Sequence, residues 1–121
     1  MLKRNGKIFI SYSASATDEN YAMGLLWADD TADLLDPTSW TKLAQPVLTT
    51  DYARGLYGPG HNSFTVAEDG TTVLLVYHAR TYTEIVGDPL WNPDRHTFVK
   101  PLMWDEGGMP RFNSGDYSAG K

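Results

Sequence analysis

Short runs of β-branched and aromatic residues, punctuated by Gly, Pro, Asn and Asp, recur along this chain and predict strands. Asn5-Gly6 leads into Lys7-Ile8-Phe9-Ile10-Ser11-Tyr12-Ser13, a run with strand composition behind a tight turn. After the polar loop from Ala14 to Asn20, the segment Tyr21 to Ala28 reads as the next strand. Asp33-Leu34-Leu35-Asp36-Pro37 reads as a turn or a single helical turn before Trp40-Thr41-Lys42-Leu43. A loop around Pro46 to Gly60 then delivers two strands, Gly58 to Val66 and Val73 to Tyr77, joined at Asp69-Gly70. Arg95 to Trp104 is a further strand, and Pro101, which has no N–H to donate, confines it to an edge or a bulge. Asp105 to Gly108 is a turn, and Arg111-Phe112 a short last strand. No stretch sustains a 3.6-residue apolar period, so the fold class is nearly all β.

The pattern repeats weakly. Asn5-Gly6 with the apolar residues up to Tyr12 and Ala14 is answered by Asp69-Gly70 with those up to Tyr77 and Ala79. Asp36-Pro37, Thr41 and Pro46 are answered by Asn92-Pro93, Thr97 and Pro101. A repeat of roughly 55–65 residues built from a few short strands is what propeller blades produce, although turn chemistry alone also makes hairpins look alike.

Composition narrows the function classes. Eleven Gly and seven Pro in 121 residues fit a turn-rich β protein. A net charge of -5 argues against a nucleic-acid partner, which needs clustered Lys and Arg. No apolar run is long enough to span a membrane as a helix, and no basic-apolar leader pattern opens the chain. Cysteine is absent, which removes disulfides and thiolate chemistry and leaves the compartment open.

The most informative stretch is Gly58-Pro59-Gly60-His61-Asn62-Ser63-Phe64-Thr65-Val66, a glycine-relaxed loop that carries a His and an Asn into a strand. Polar residues at the start of an inner strand can point into a pocket while the rest of the strand packs. His61 is the leading site candidate, with a structural hydrogen-bonding role as the alternative. Arg80, at the end of the Tyr77 strand, is the second: a planar fork suits hydroxyls, and an ion pair with Glu84 or Asp88 is the alternative. Asp18-Glu19 are adjacent and face opposite ways on an extended segment, so they read as solvated loop carboxylates, and Glu84 and Asp88, in the polar loop after Arg80, read as loop or turn residues. Trp27, Trp40, Trp91 and Trp104 can stack on sugars, but Trp40 and Trp104 fit blade packing better.

Over nearly its whole length the chain resembles the C-terminal part of glycoside hydrolase family 43, in particular its α-L-arabinofuranosidases. The resemblance is carried by Leu2-Lys3-Arg4-Asn5-Gly6-Lys7-Ile8-Phe9, by Tyr12 to Tyr21, by Gly24-Leu25-Leu26 and by Asp36-Pro37-Thr38-Ser39-Trp40. It continues through Gly58 to Thr65, Tyr77-His78-Ala79-Arg80, Gly87-Asp88-Pro89-Leu90 and Asn92-Pro93-Asp94-Arg95-His96-Thr97. The resemblance implies a five-bladed β-propeller with its active site at one end of the central channel. On this reading residues 1–50 are a blade lacking its inner strand, and residues 51–121 are the final blade with a C-terminal tail.

The same resemblance implies what is missing. Family members use a general base, a general acid and a third carboxylate that tunes the acid, with inversion at the anomeric carbon. The acid, a Glu in an Asn-Glu-Gly-Pro-like segment, precedes the strand equivalent to Lys7 to Ser13. The expectation is that all three carboxylates lie upstream, that no catalytic residue is in this chain, and that the chain alone is inactive. His61 is implied to lie at the centre of the propeller, contacting a calcium ion together with waters, and to border the substrate. Arg80 is implied to reach the sugar pocket. Expected partners are an arabinose-containing polysaccharide or oligosaccharide in the parent, and complementary N-terminal blades or a second copy. Two alternatives stand: a non-catalytic, self-assembling or engineered propeller fragment, for which Ala22 replacing a usual Cys is one pointer, and a β-xylosidase parent.

Overall fold

The structure, a computed structural model, describes residues 1–113, so the C-terminal tail from residue 114 on lies outside the described residues. Those residues form three antiparallel sheets and, among them, no α-helix. The first sheet has the order β1 (Leu2–Arg4), β2 (Lys7–Ala14), β3 (Ala22–Asp29) and β4 (Thr41–Lys42). The second has β5 (Tyr57–Val66), β6 (Val73–Arg80) and β7 (His96–Pro101), and the third pairs β8 (Met103–Trp104) with β9 (Pro110–Arg111).

Local sequence explains the hairpins. Asn5 and Gly6 both have positive φ, 57° and 74°, the backbone of a two-residue turn whose twist matches the strands it joins. At the β5–β6 turn only Gly70 is left-handed, and the Asp69 carboxylate accepts from the Thr71 and Thr72 amides at 2.9 and 2.8 Å. The two Asn/Asp-Gly hairpins thus open equivalent strands, β2 and β6. The other half of the repeat does not survive. Asp36-Pro37 lies between β3 and β4, whereas Asn92-Pro93 lies between β6 and β7. Turn chemistry, not common descent of position, makes those two alike.

The strand predicted from Arg95 to Trp104 is divided. Leu102 turns in to donate its amide to the Val73 carbonyl and packs in the core, which separates β7 from β8. The Pro101 edge position therefore ends a strand. A strand not foreseen as a separate element, β1, runs beside β2 on the edge opposite β3, the place an inner strand takes. It pairs only as Leu2↔Phe9, Lys3↔Ile8 and Arg4↔Lys7. From Ile10 to Ala14 no strand pairs with that edge among the described residues.

Alternation along β2 and β3 decides which face is buried. Phe9, Leu25 and Met23 enter a core with Leu75, Tyr77, Ala79 and Phe98 of the second sheet and with Leu48, Leu102 and Phe112. Ile8, Ile10, Tyr12 and Leu26, on the opposite face, are outside that cluster. The Tyr12 ring there lies over Gly24, where a Cβ would come within 2.3 Å of it, and Lys42 sits 5.6 Å above the ring. A cleft of about 320 Å³ runs beside Tyr12, Gly24, Lys42 and Gln45. The first sheet thus has one face sunk into the core and one half-covered face next to an open edge.

Candidate functional site

The glycine-rich start of β5 is the place where the two large sheets and the 15–21 loop meet. Gly58 has φ 60°, and a Cβ on it would lie 2.3 Å from the Asp18 carbonyl; one on Gly60 would lie 2.2 Å from the Tyr21 ring. Absence of side chains at both positions lets the loop fold onto the strand. Register shifts on both sides of Gly60 bend β5 here, and His61 follows with φ 49°. Its amide donates to Ser13 Oγ at 2.7 Å, so β2 holds the left-handed turn in place.

That turn leaves the His61 side chain exposed and sets its ring 5.9 Å from His78, nearly parallel at 16°. Tyr21 covers the other side of His78 at 6.1 Å and 10°. The three rings form a stack with His61 exposed and His78 and Tyr21 half-buried. His78 Nδ1 is buried and has no hydrogen-bond partner, and its pKa is lowered, first by burial and then by the charges of Arg95 and His61. Beside the stack, Ser11 Oγ donates to Asn62 Oδ1 at 2.9 Å, while the buried Asn62 Nδ2 has no partner. Among the described residues no three His, Cys, Asp or Glu cluster to hold a metal, so any ion at His61 would draw its remaining oxygens from water or from another segment.

Arg80 is 3% exposed. Its Nη1 donates to the Thr17 carbonyl, its Nη2 to the carbonyls of Pro89 at 2.7 Å and Asn92 at 3.4 Å, and its Nε to Asn92 Oδ1 at 3.3 Å. The guanidinium is thus a brace between the 15–21 loop and the 81–95 loop. It is neither an open fork at the surface nor the ion-pair partner of Glu84 or Asp88. No sequence pattern marks this role, because its partners are backbone carbonyls. Arg95 joins the brace, donating to Pro89 O at 3.2 Å and Leu90 O at 2.7 Å.

The carboxylates set aside above are mostly engaged locally. Asp18 accepts from the Asn20 amide at 2.8 Å, and Asp88 caps the 3₁₀ turn Pro89–Trp91 through the Leu90 amide at 3.0 Å. Asp36 and Asp69 have pKa values lowered by hydrogen bonds from Thr38 and Thr72, Asp69 to about 2. A general acid requires the opposite displacement. Trp104 packs against Phe9 at 5.7 Å beneath Arg4 and borders the core, whereas Trp40 lies outside the core cluster and donates to the Leu34 carbonyl. Trp91 is 79% exposed.

Comparison with known proteins places this arrangement. The sequence model of "Glycosyl hydrolases family 43" matches residues 1–110. An extracellular exo-alpha-(1->5)-L-arabinofuranosidase of Streptomyces avermitilis is 54% identical over 112 residues, covering 93% of this chain and 23% of that protein. Alpha-L-arabinofuranosidase 43 of Humicola insolens is 53% identical, again over 93% of this chain and 23% of its own length. The crystal structure of an alpha-L-arabinofuranosidase from Lactobacillus brevis superposes with a TM-score of 0.90 at 60% identity, covering 93% of this chain and 34% of that one. A thermostable family-43 glycoside hydrolase gives 0.73 at 30% identity, covering 99% and 36%. The chain therefore belongs to glycosyl hydrolase family 43; it is all-β, corresponds to part of the family's propeller, and spans about a quarter of the length of the curated relatives it matches.

Proposed function

We propose that this chain is the C-terminal portion of an inverting glycoside hydrolase that releases terminal α-L-arabinofuranosyl units from arabinan or arabinoxylan, and that it is inactive alone. The observation that carries the reading is the first sheet. β1 covers only three residues of β2, and carrying its antiparallel register upstream sets the residues before Met1 opposite Ser11 to Ala14. A strand supplied there by another part of the propeller would bring its side chains to the end of β2, next to the 15–21 loop and the His61 stack. The half-covered face with Ile10, Tyr12 and Leu26 would then receive the preceding blade. His61, exposed on its strained turn, faces the channel as the substrate-bordering group and as the contact for a water-shelled cation such as calcium. Arg80 shapes the pocket by holding the two loops and does not itself touch the sugar.

The relatives' names favour arabinose over xylose. The test is proton NMR of the sugar freed from aryl α-L-arabinofuranoside by the chain mixed with its upstream blades. First appearance of the β anomer is expected. First appearance of the α anomer overturns inversion, and turnover of only the aryl β-xyloside overturns the substrate.

A further inference from the structure

Two hairpins of this chain turn at an Asn or Asp followed by glycine, Asn5-Gly6 between β1 and β2 and Asp69-Gly70 between β5 and β6. A side-chain carbonyl placed one residue before a glycine is open to attack by that glycine's backbone nitrogen, because no Cβ hinders the approach. At Asp69-Gly70 both reacting groups are already occupied. The Gly70 amide donates to Ala67 O at 2.9 Å, and Asp69 Oδ1 takes the Thr71 and Thr72 amides at 2.9 and 2.8 Å. Hydrogen bonds from the Thr72 hydroxyl, then from the Thr72 and Thr71 amides, lower the Asp69 pKa to about 2, and the resulting carboxylate is a poor electrophile.

At Asn5-Gly6 neither group is held in this way. Among the described residues no acceptor takes the Gly6 amide, and a Cβ built on Gly6 would meet no heavy atom within 4 Å. The Asn5 side chain is an uncharged amide tied at one point, where Nδ2 donates to Gly108 O at 3.3 Å. Lys3, Arg4 and Lys7 flank the pair, and positive charges favour the amide anion that attacks.

We propose that Asn5 is a self-modification site, where the chain converts its own asparagine through a succinimide to aspartate and isoaspartate and so cuts the tie to the β8–β9 turn. The Gly6 nitrogen gives its proton to solvent base and bonds to Asn5 Cγ. The Cγ–Nδ2 bond breaks, and Nδ2 leaves as ammonia, taking a proton from solvent. A water then opens the ring. Breaking the bond from the Gly6 nitrogen to Cγ yields aspartate, and breaking the one to the main-chain carbonyl carbon yields isoaspartate. Both reacting atoms belong to the turn and water is the sole co-reactant, so no partner surface is involved. Either product puts a carboxylate, which cannot donate, where the amide held Gly108 O. Isoaspartate also adds a carbon to the main chain inside the turn, which displaces the Arg4↔Lys7 pair beside it.

The test is peptide mapping by mass spectrometry, with enzymatic labelling of isoaspartate, on the full chain aged at mildly alkaline pH with and without denaturing urea. In the folded chain Asn5 should convert ahead of Asn20 and Asn62, at a rate within about tenfold of that in urea, because a hairpin tip opens at little cost. Asp69 should acquire isoaspartate in urea and not in the folded chain. A folded-state rate at Asn5 below that range, or earlier reaction at Asn20 or Asn62, overturns the site. Isoaspartate forming at Asp69 as fast as at Asn5 in the folded chain overturns the contrast on which it rests. Amide hydrogen exchange reads the consequence: the isoaspartate form should exchange its Leu2–Arg4 amides faster than the intact chain, and equal exchange there overturns the broken tie.

Discussion

Arg80 joins carbonyls from residues 17, 89 and 92 and is almost wholly buried, so its removal takes the donor from the half-buried Thr17 and Asn92 carbonyls, while Pro89 O keeps Arg95. Arg80→Met should cost about 3 kcal/mol in chemical denaturation, from the lost charge-assisted bonds and the orphaned carbonyls. Arg80→Lys should recover little of it, because one ammonium cannot span what a planar fork spans. Gly60→Ala tests the close approach of loop and strand: a methyl 2.2 Å from the Tyr21 ring should cost about 2 kcal/mol by thermal melt. At this scale the sequence was half legible. His61 stood out because a His between Gly-Pro-Gly and Asn is conspicuous, and it does occupy a special backbone position. Its stack with His78 and Tyr21 joins three segments, and the Arg80 brace ends on backbone oxygens, so neither leaves a local pattern.

Elements were more legible than side-chain roles, because period-two alternation and turn residues are local. The strands from Lys7, Gly58 and Val73 begin within a residue of where their composition put them. β1 was not separable, since three residues cannot display alternation. The 3₁₀ turn at Pro89 falls where Asp88 reads as a loop or turn residue, and Asp88-Pro89 has the same capping chemistry as Asp36-Pro37. Two titrations belong to this scale. Lys100, on β7, is fully buried, and its pKa is lowered to about 8, first by burial and then by Arg54, against a raising influence of Asp51. The unfolded chain holds that proton up to about 10.4, so it binds more protons than the folded chain between these values, and stability rises with pH there. The rise should be on the order of 1–3 kcal/mol and should vanish in Lys100→Met, measured by denaturation at pH 7 and 9.5. His78, on β6, is also lowered, so the unfolded chain takes up its proton first as pH falls below about 6.5. Acidification from pH 7 to 5 should therefore destabilise the wild type more than His78→Gln.

On the scale of the whole molecule, the first sheet has an open edge among the described residues. β2 has a strand partner on one edge for only Lys7 to Phe9, and the Tyr12 face of the same sheet stays outside the core. An open edge beside a half-apolar face is what a ring of blades leaves when its neighbour is absent. That feature could not be read in the sequence by periodicity, which sees strands and not what they pair with; it came into view through family resemblance and then through register. The most direct measurement is nitrophenol release from an aryl α-L-arabinofuranoside by the purified chain alone and by the chain mixed with the missing blades, with complex formation in the mixture verified by sedimentation. The account predicts no release by the chain alone and release by the complex. Release by the chain alone, abolished by substitution of Asp18, Glu19, Glu84 or Asp88, would contradict it, as would a verified complex that stays silent.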